Sequence, residues 1–255
     1  MKYQNSNPWI VKLKPNPNAK LKLFCLPFAG GSSVAYRDWN DVLPATVELC
    51  AIEIPGRGQR LGEPLLKNLP ELVTKLAEGI KEELDRPFVL FGHSMGAATG
   101  FELTHLLQSK YQKTPEHLFF SGRGAPQIPE RDEPIHKLPK NEFIDKIRSF
   151  NGTPKEVLAH EELMELVIPI IRADFEVCET YNYQQRAPLN IPMTVLGGLS
   201  DEDINKSDLE SWGIHTQNEF NIRMFPGGHF YLQDQVHALV QTILRDLNNH
   251  FNLNS

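Results

Sequence analysis

The chain has 255 residues, 40% hydrophobic and 23% charged, with a formal net charge of −6. This is the composition of an ordinary folded domain with enough chain to bury a sizeable core, and the acid excess argues against nucleic acid or an anionic membrane as partner. No apolar run is long enough to span a bilayer, the N-terminus lacks the apolar stretch of a secretory signal, and the three cysteines include no C-x-x-C pair; a reduced, cytoplasmic protein is the expectation.

Residues 1–20 are polar, carry prolines at 8, 15 and 17, and read as an extended lead-in packing through Trp9. "LKLFCLP" (21–27) is a first strand, followed by the turn "FAGGSS" and a helix starting at Ser32 or Ser33. "VELCAIEI" (47–54) is a second strand, closed by "PGRGQR". Apolar residues at 69, 72, 73, 76, 77, 80 and 84 recur at steps of three and four, which marks an amphipathic helix. "PFVLFG" (87–92) is a third strand, with a helix from about Ser94 to Gln108 after it. "HLFFSG" (117–122), "MTVLGG" (193–198) and "FNIRMF" (220–225) are three more strands, and a last helix runs from Leu232 to Leu247. Strands alternating with helices predict an α/β fold, a mostly parallel sheet covered on both faces. Residues 125–187 break the alternation with helical patterns only, and Pro169 is expected to kink or break the longest of them. The expected organisation is therefore the lead-in (1–20), an α/β core (21–124 and 188–255) and a helical lid insertion (125–187).

The stretch Gly92-His93-Ser94-Met95-Gly96 has the form G-x-S-x-G. Alone the pattern is weak, arising by accident with a probability on the order of 0.1 in a chain of this length. Here it lies directly between a buried strand and a helix, where serine hydrolases place their nucleophile elbow. A serine hydroxyl needs a general base, and the base needs an orienter. In such folds the order along the chain is serine, acid, histidine. Asp201 is the first carboxylate after the fifth strand, with Asp203 two residues on, and His229 follows the sixth strand in "FPGGHFYL". Both loops leave the carboxyl ends of strands, where α/β folds gather their sites. An oxyanion needs two amide donors: one from Met95, the residue after the serine, the other from "LPFAGGSS", with Ala29 favoured and Phe28 the alternative. His93 is expected to pack or hydrogen-bond within the elbow.

The series "LFCLPFAGGSSVAYRDW", "IEIPGRGQR", "LFGHSMGA", "FFSGRGAP", "IPMTVLGGLSDED" and "FPGGHFYL" resembles the type II thioesterases of nonribosomal peptide and polyketide synthesis, in that family's order from about Trp9 to Leu232. Gly124 stands where a second arginine is common, and "SDED" where an Asp-Pro-like turn is common. The resemblance implies an α/β-hydrolase fold with a helical lid. It implies release of acyl or aminoacyl groups from the phosphopantetheine arm of acyl or peptidyl carrier proteins through an acyl-serine. Ser94, Asp201 and His229 fall on the triad positions. No cofactor or metal is implied, since the phosphopantetheine arm belongs to the substrate, and a monomer is expected. Arg57 and Arg60, with Lys12, Lys14, Lys20 and Lys22 adding positive charge, are expected to meet the carrier's acidic helix or phosphate. The rival readings are a small-molecule esterase or acyltransferase of the same fold, and a non-catalytic module that grips a carrier.

Overall fold

A computed structural model of the chain describes residues 7–129, 133–150, 152, 155–248, 251 and 253. Of the lead-in, residues 1–6 therefore lie outside the described residues, as do 130–132, 151, 153 and 154 of the insertion.

The strands form because their side chains are apolar on both faces. In β2 (Leu21–Leu26), Leu21, Leu23 and Cys25 join one apolar cluster, and Phe24 and Leu26 join the other. The same split recurs in β4, with Val89 and Phe91 on one side and Phe88 and Leu90 on the other. Each large apolar side chain buried this way contributes roughly 2 kcal/mol. In chain order the elements are β1 (Ile10–Val11), β2, β3 (Val47–Ile52), α1 (Leu69–Ile80), β4 (Phe88–His93), α2 (Met95–Leu106), β5 (Leu118–Ser121), α3 (Lys140–Ser149), α4 (Lys155–Leu158), α5 (Glu161–Glu179), β6 (Met193–Gly198), α6 (Lys206–Glu210), β7 (Phe220–Phe225), α7 (Tyr231–Asp234) and α8 (Val236–Asn248). They build one sheet in the order β1-β3-β2-β4-β5-β6-β7, with β1 antiparallel to β3 and every other pair parallel.

Helices cover both faces. The stripe Leu72, Val73, Leu76 and Ile80 of α1 packs with α2 on one side; Tyr36 and Trp39, from a 3₁₀ segment over Ser33–Asp41, pack with Leu239, Val240 and Ile243 of α8 on the other. Asn68 caps α1 by accepting from the Glu71 N–H, which satisfies one of the orphan donors at the helix start. This is the doubly covered, mostly parallel sheet of the α/β-hydrolase fold.

Helices α3, α4 and α5 follow β5 and precede β6. Phe143, Ile147, Met164, Ile168 and Ile171 form an apolar cluster of their own, separate from the two clusters that sandwich the sheet. Pro169 does not break α5, which runs unbroken from Glu161 to Glu179. Proline deprives only the Glu165 carbonyl of its helical partner. Both residues lie on the exposed face, where the carbonyl is open to solvent, while Ile168 and Ile171 stay packed. The expected last helix is instead two, α7 and α8, separated at Gln235, which leaves helical geometry at φ −106° and ψ 27°.

The lead-in is tied down more firmly than its composition suggests. Ile10 pairs with Ile52, and the Trp9 carbonyl accepts from the Glu53 N–H at 2.9 Å. The Trp9 ring lies on Gly79, where a Cβ would come within 2.2 Å of it, and carries the Arg60 guanidinium 4.0 Å above it. Trp9→Ala should therefore cost about 3 kcal/mol, read as a lower urea midpoint at unchanged m-value; a loss below about 1 kcal/mol would show that this segment only rests on the surface.

Candidate active site

Strand β4 ends at His93 and α2 begins at Met95, so the chain turns within one residue. That residue, Ser94, takes φ 53° and ψ −113°, a region that side chains other than glycine rarely enter. The flanking glycines explain why the turn closes. A Cβ on Gly92 would lie 2.1 Å from the Gly96 carbonyl oxygen, and one on Gly96 would lie 2.3 Å from the Leu26 carbonyl oxygen. The Ser94 N–H donates to the Ser121 carbonyl at 2.8 Å, which ties the turn to β5. The hydroxyl thus stands at the positive end of α2, beside the unpaired amides of a helix start.

The loops after β6 and β7 bring the other two groups together. The Leu199 N–H donates to the Phe225 carbonyl at 2.8 Å, and the Ser200 N–H to the Gly227 carbonyl at 2.9 Å. His229 Nδ1 then meets Asp201 Oδ2 at 2.9 Å, while Asp201 Oδ1 accepts from the amides of Asp203 (3.0 Å) and Ile204 (3.2 Å). Between the two carboxylates left open by the sequence, it is Asp201 that holds the imidazole; Asp203 contributes its amide and is exposed. Burial works to raise the Asp201 pKa, but the hydrogen bonds from His229 and the two amides outweigh it, and the net shift is downward. A carboxylate on Nδ1 requires the proton there and leaves Nε2 as the basic nitrogen.

Behind His229 lies His93, fully buried, its ring centroid 5.0 Å from that of His229. His93 Nδ1 meets Ser121 Oγ at 2.8 Å, and Ser121 Oγ meets the Tyr231 hydroxyl at 2.7 Å. Burial, reinforced by the neighbouring His229, holds the His93 pKa well below its usual value, so this ring is neutral packing for the site.

Ser94, His229, Phe28 and Ala29 share the wall of a cavity of about 740 Å³. Ile147 of α3 and Ile171 and Phe175 of α5 supply an apolar wall to the same cavity. The space is within the range of small-molecule pockets. Among the described residues, Asp201, Asp203 and His229 place ligand atoms within 4.8 Å of one another. Asp201, however, already spends both oxygens on N–H donors, an arrangement that suits orienting an imidazole better than holding a cation.

The structure corrects the expected carrier contacts. Arg57 is only 5% exposed, and its guanidinium grips Asp174 of α5 with two hydrogen bonds, of 2.6 and 2.7 Å. Arg60 is 6% exposed, paired with Glu63 and stacked on Trp9. Neither can reach a docking protein, because both charges are turned inward. Lys12 and Lys22 pair with Glu83, and Lys14 with Asp41. Asp174 escaped the sequence reading, although a signal was present. It lies on the buried stripe Met164, Ile168, Ile171 of its own helix, where a carboxylate must find a partner.

A family model described as "Thioesterase domain" matches residues 21–247. The chain is 41% identical to the gramicidin S biosynthesis protein GrsT of Aneurinibacillus migulanus, with 94% of each chain covered. It is 40% identical to a protein named linear gramicidin dehydrogenase LgrE from Brevibacillus parabrevis, covering 93% of this chain and 92% of that one. Among solved structures, the type II thioesterase BorB from the borrelidin biosynthetic cluster superposes with a TM-score of 0.87 at 33% identity, covering 94% of this chain and 98% of that one. With a match across nearly the whole sheet and the residues that line its cavity, the chain belongs to the thioesterase domain family.

Proposed function

We propose that this protein is an editing thioesterase that hydrolyses acyl or aminoacyl thioesters from the phosphopantetheine arm of carrier proteins. The observation that carries the reading is the Asp201–His229 hydrogen bond on the wall of the cavity that Ser94 enters from its strained turn. His229 Nε2 takes the Ser94 proton as Oγ attacks the thioester carbonyl. The amides of Met95 and Ala29 hold the oxyanion, and the carrier thiol leaves with the proton from His229. Water, deprotonated by His229, then attacks the acyl-serine, and Ser94 recovers its proton as the acid departs. Asp201 keeps Nδ1 protonated and stabilises the imidazolium in both halves. GrsT is named for gramicidin S biosynthesis and BorB as a type II thioesterase of the borrelidin biosynthetic cluster, and these names support carrier-bound acyl groups as the substrate class. The word dehydrogenase in the name of LgrE does not transfer: the chain holds no G-x-G-x-x-G, and its buried strand-turn-helix presents a serine instead.

The test is mass spectrometry of an acyl-loaded carrier protein before and after incubation. Wild type should unload it, and Ser94→Ala should lose at least about 10⁴-fold in kcat. Retained unloading by Ser94→Ala would remove the acyl-serine route. Asp201→Asn should lower kcat by about 10⁴-fold through the wrong imidazole tautomer, whereas Asp203→Asn should stay within a few-fold; the reverse ranking would reassign the acid.

The Asp201 pKa also sets a pH dependence. Its folded-state value lies below the ordinary 3.8, so the stability it adds is present above that value and is lost as pH falls through the lower one. The difference in urea stability between wild type and Asp201→Asn should be largest at neutral pH and narrow below about pH 4. A gap that stays constant down to acid unfolding would contradict the hydrogen-bonded carboxylate.

A further inference from the structure

We propose that Arg57 and Asp174 are positioning residues that couple the seat of helix α5 to the oxyanion loop, so that the Ala29 amide is aimed at the reacting carbonyl only while α5 is docked. The inference rests on the reading of Ala29 as an oxyanion donor. Three observations carry it, and they meet at one turn.

The first is the ion pair itself. Asp174 Oδ2 accepts from Arg57 Nη1 and also from the Gly30 N–H at 2.7 Å; Arg57 Nη1 donates in addition to the Gly31 carbonyl at 2.8 Å. One carboxylate from α5 and one guanidinium from the loop after β3 thus hold both sides of the Gly30–Gly31 backbone. The second is the turn's own hydrogen bond, from the Gly31 N–H to the Phe28 carbonyl at 2.8 Å. The Phe28 carbonyl and the Ala29 N–H share one trans peptide plane and point in opposite directions, so fixing the carbonyl fixes the donor. The third is steric. Gly30 sits at φ +76°, and a Cβ there would lie 2.9 Å from Ile171 of α5, so the helix rests directly on the turn.

Asp174 is 2% exposed and Arg57 5%, which shields these charge-assisted bonds from competing water. Ile171 and Phe175 on either side of Asp174 line the cavity, so α5 is both a wall of the acyl space and the anchor of the loop opposite the nucleophile. A shift of α5 large enough to admit a bulky chain breaks the contacts that orient Ala29. Chemistry then waits until the helix has returned over the bound acyl group.

The test compares Arg57→Gln, Arg57→Lys and Asp174→Asn with Arg86→Gln. Arg86 is a distant control: its guanidinium pairs with Glu48 and bonds the Asn16, Pro17 and Ala19 carbonyls. Each is assayed with a short acyl-thiol and a p-nitrophenyl ester, and each is titrated with an alkylboronic acid, whose tetrahedral adduct on Ser94 places an oxygen in the oxyanion position. Because removing one oxyanion donor outright costs about 10²- to 10³-fold and these variants misaim the donor without removing it, Arg57→Gln and Asp174→Asn should lose about 10- to 100-fold in kcat on both substrates. Their KM should change little, boronate affinity should fall in parallel, and Arg57→Lys should fall between them and wild type. Arg86→Gln should lose stability while keeping kcat. If Arg57→Gln does not fold, the graded losses of Arg57→Lys and Asp174→Asn give the answer. Folded variants with wild-type kcat and boronate affinity, or with a loss confined to KM, would overturn the proposal. Ester turnover that tracks the variants in a wild type unable to unload a carrier would leave this inference standing and refute the carrier reading alone.

Discussion

The first turn of α2 packs so closely on the ends of β2 and β4 that no side chain fits between them, and the rest of the site follows from that contact. With the Gly96 backbone against the Leu26 carbonyl, the chain at Ser94 has no room for an ordinary turn and takes a positive φ. Such a conformation costs on the order of 1–3 kcal/mol, and it persists only where surrounding packing over-determines it. Here both neighbours supply that packing, since β4 is buried along its whole length and α2 is buried from Met95 through Phe101. The strained turn places one serine at a helix start, on the wall of the cavity.

Parallel register does the rest of the assembly. Leu26 lies beside Gly92, His93 beside Ser121, Ser121 beside Leu196, and Gly198 beside Phe225, so these strands end along one edge of the sheet. The loops holding Ala29, Ser94, Asp201 and His229 leave that edge side by side, although the residues span most of the chain. Two loop-to-loop amide bonds between the ends of β6 and β7 suffice to bring Asp201 to His229. Little loop ordering is needed, because the sheet has already fixed where each loop begins.

That division explains what could be read from sequence. Strands buried on both faces announce themselves as apolar runs, and β6 matches its expected bounds residue for residue, as does the half-buried β7. Glycines flanking a serine announce the tight turn for the same steric reason that requires them. The two-residue β1 was missed because so short a strand has no periodicity, and its place comes from Trp9 packing on Gly79. Arg57 was misread because an arginine in a Gly-Pro loop looks solvated; its partner lies 117 residues away on another element, a separation over which no local pattern operates. Of the kink or break expected at Pro169, the break does not occur, for a related reason: propensity describes an isolated helix, and here tertiary contacts on the opposite face hold the two halves together.

An ion pair between α5 and the sheet domain needs a physical reason, because burying two charges costs several kcal/mol and an apolar pair of similar volume often stabilises a fold as well or better. The reason lies in the loop. Gly30 and Gly31 present a backbone N–H and a carbonyl into the interface, and a buried peptide group left unpaired costs about as much as a lost hydrogen bond. Leucines at 57 and 174 would pack but would satisfy neither group. Aspartate alone would answer the N–H and leave a buried negative charge; arginine alone would answer the carbonyl and leave a positive one. Together they satisfy both backbone groups and neutralise each other. The polar pair is therefore what allows an irregular loop to be covered by a helix at all.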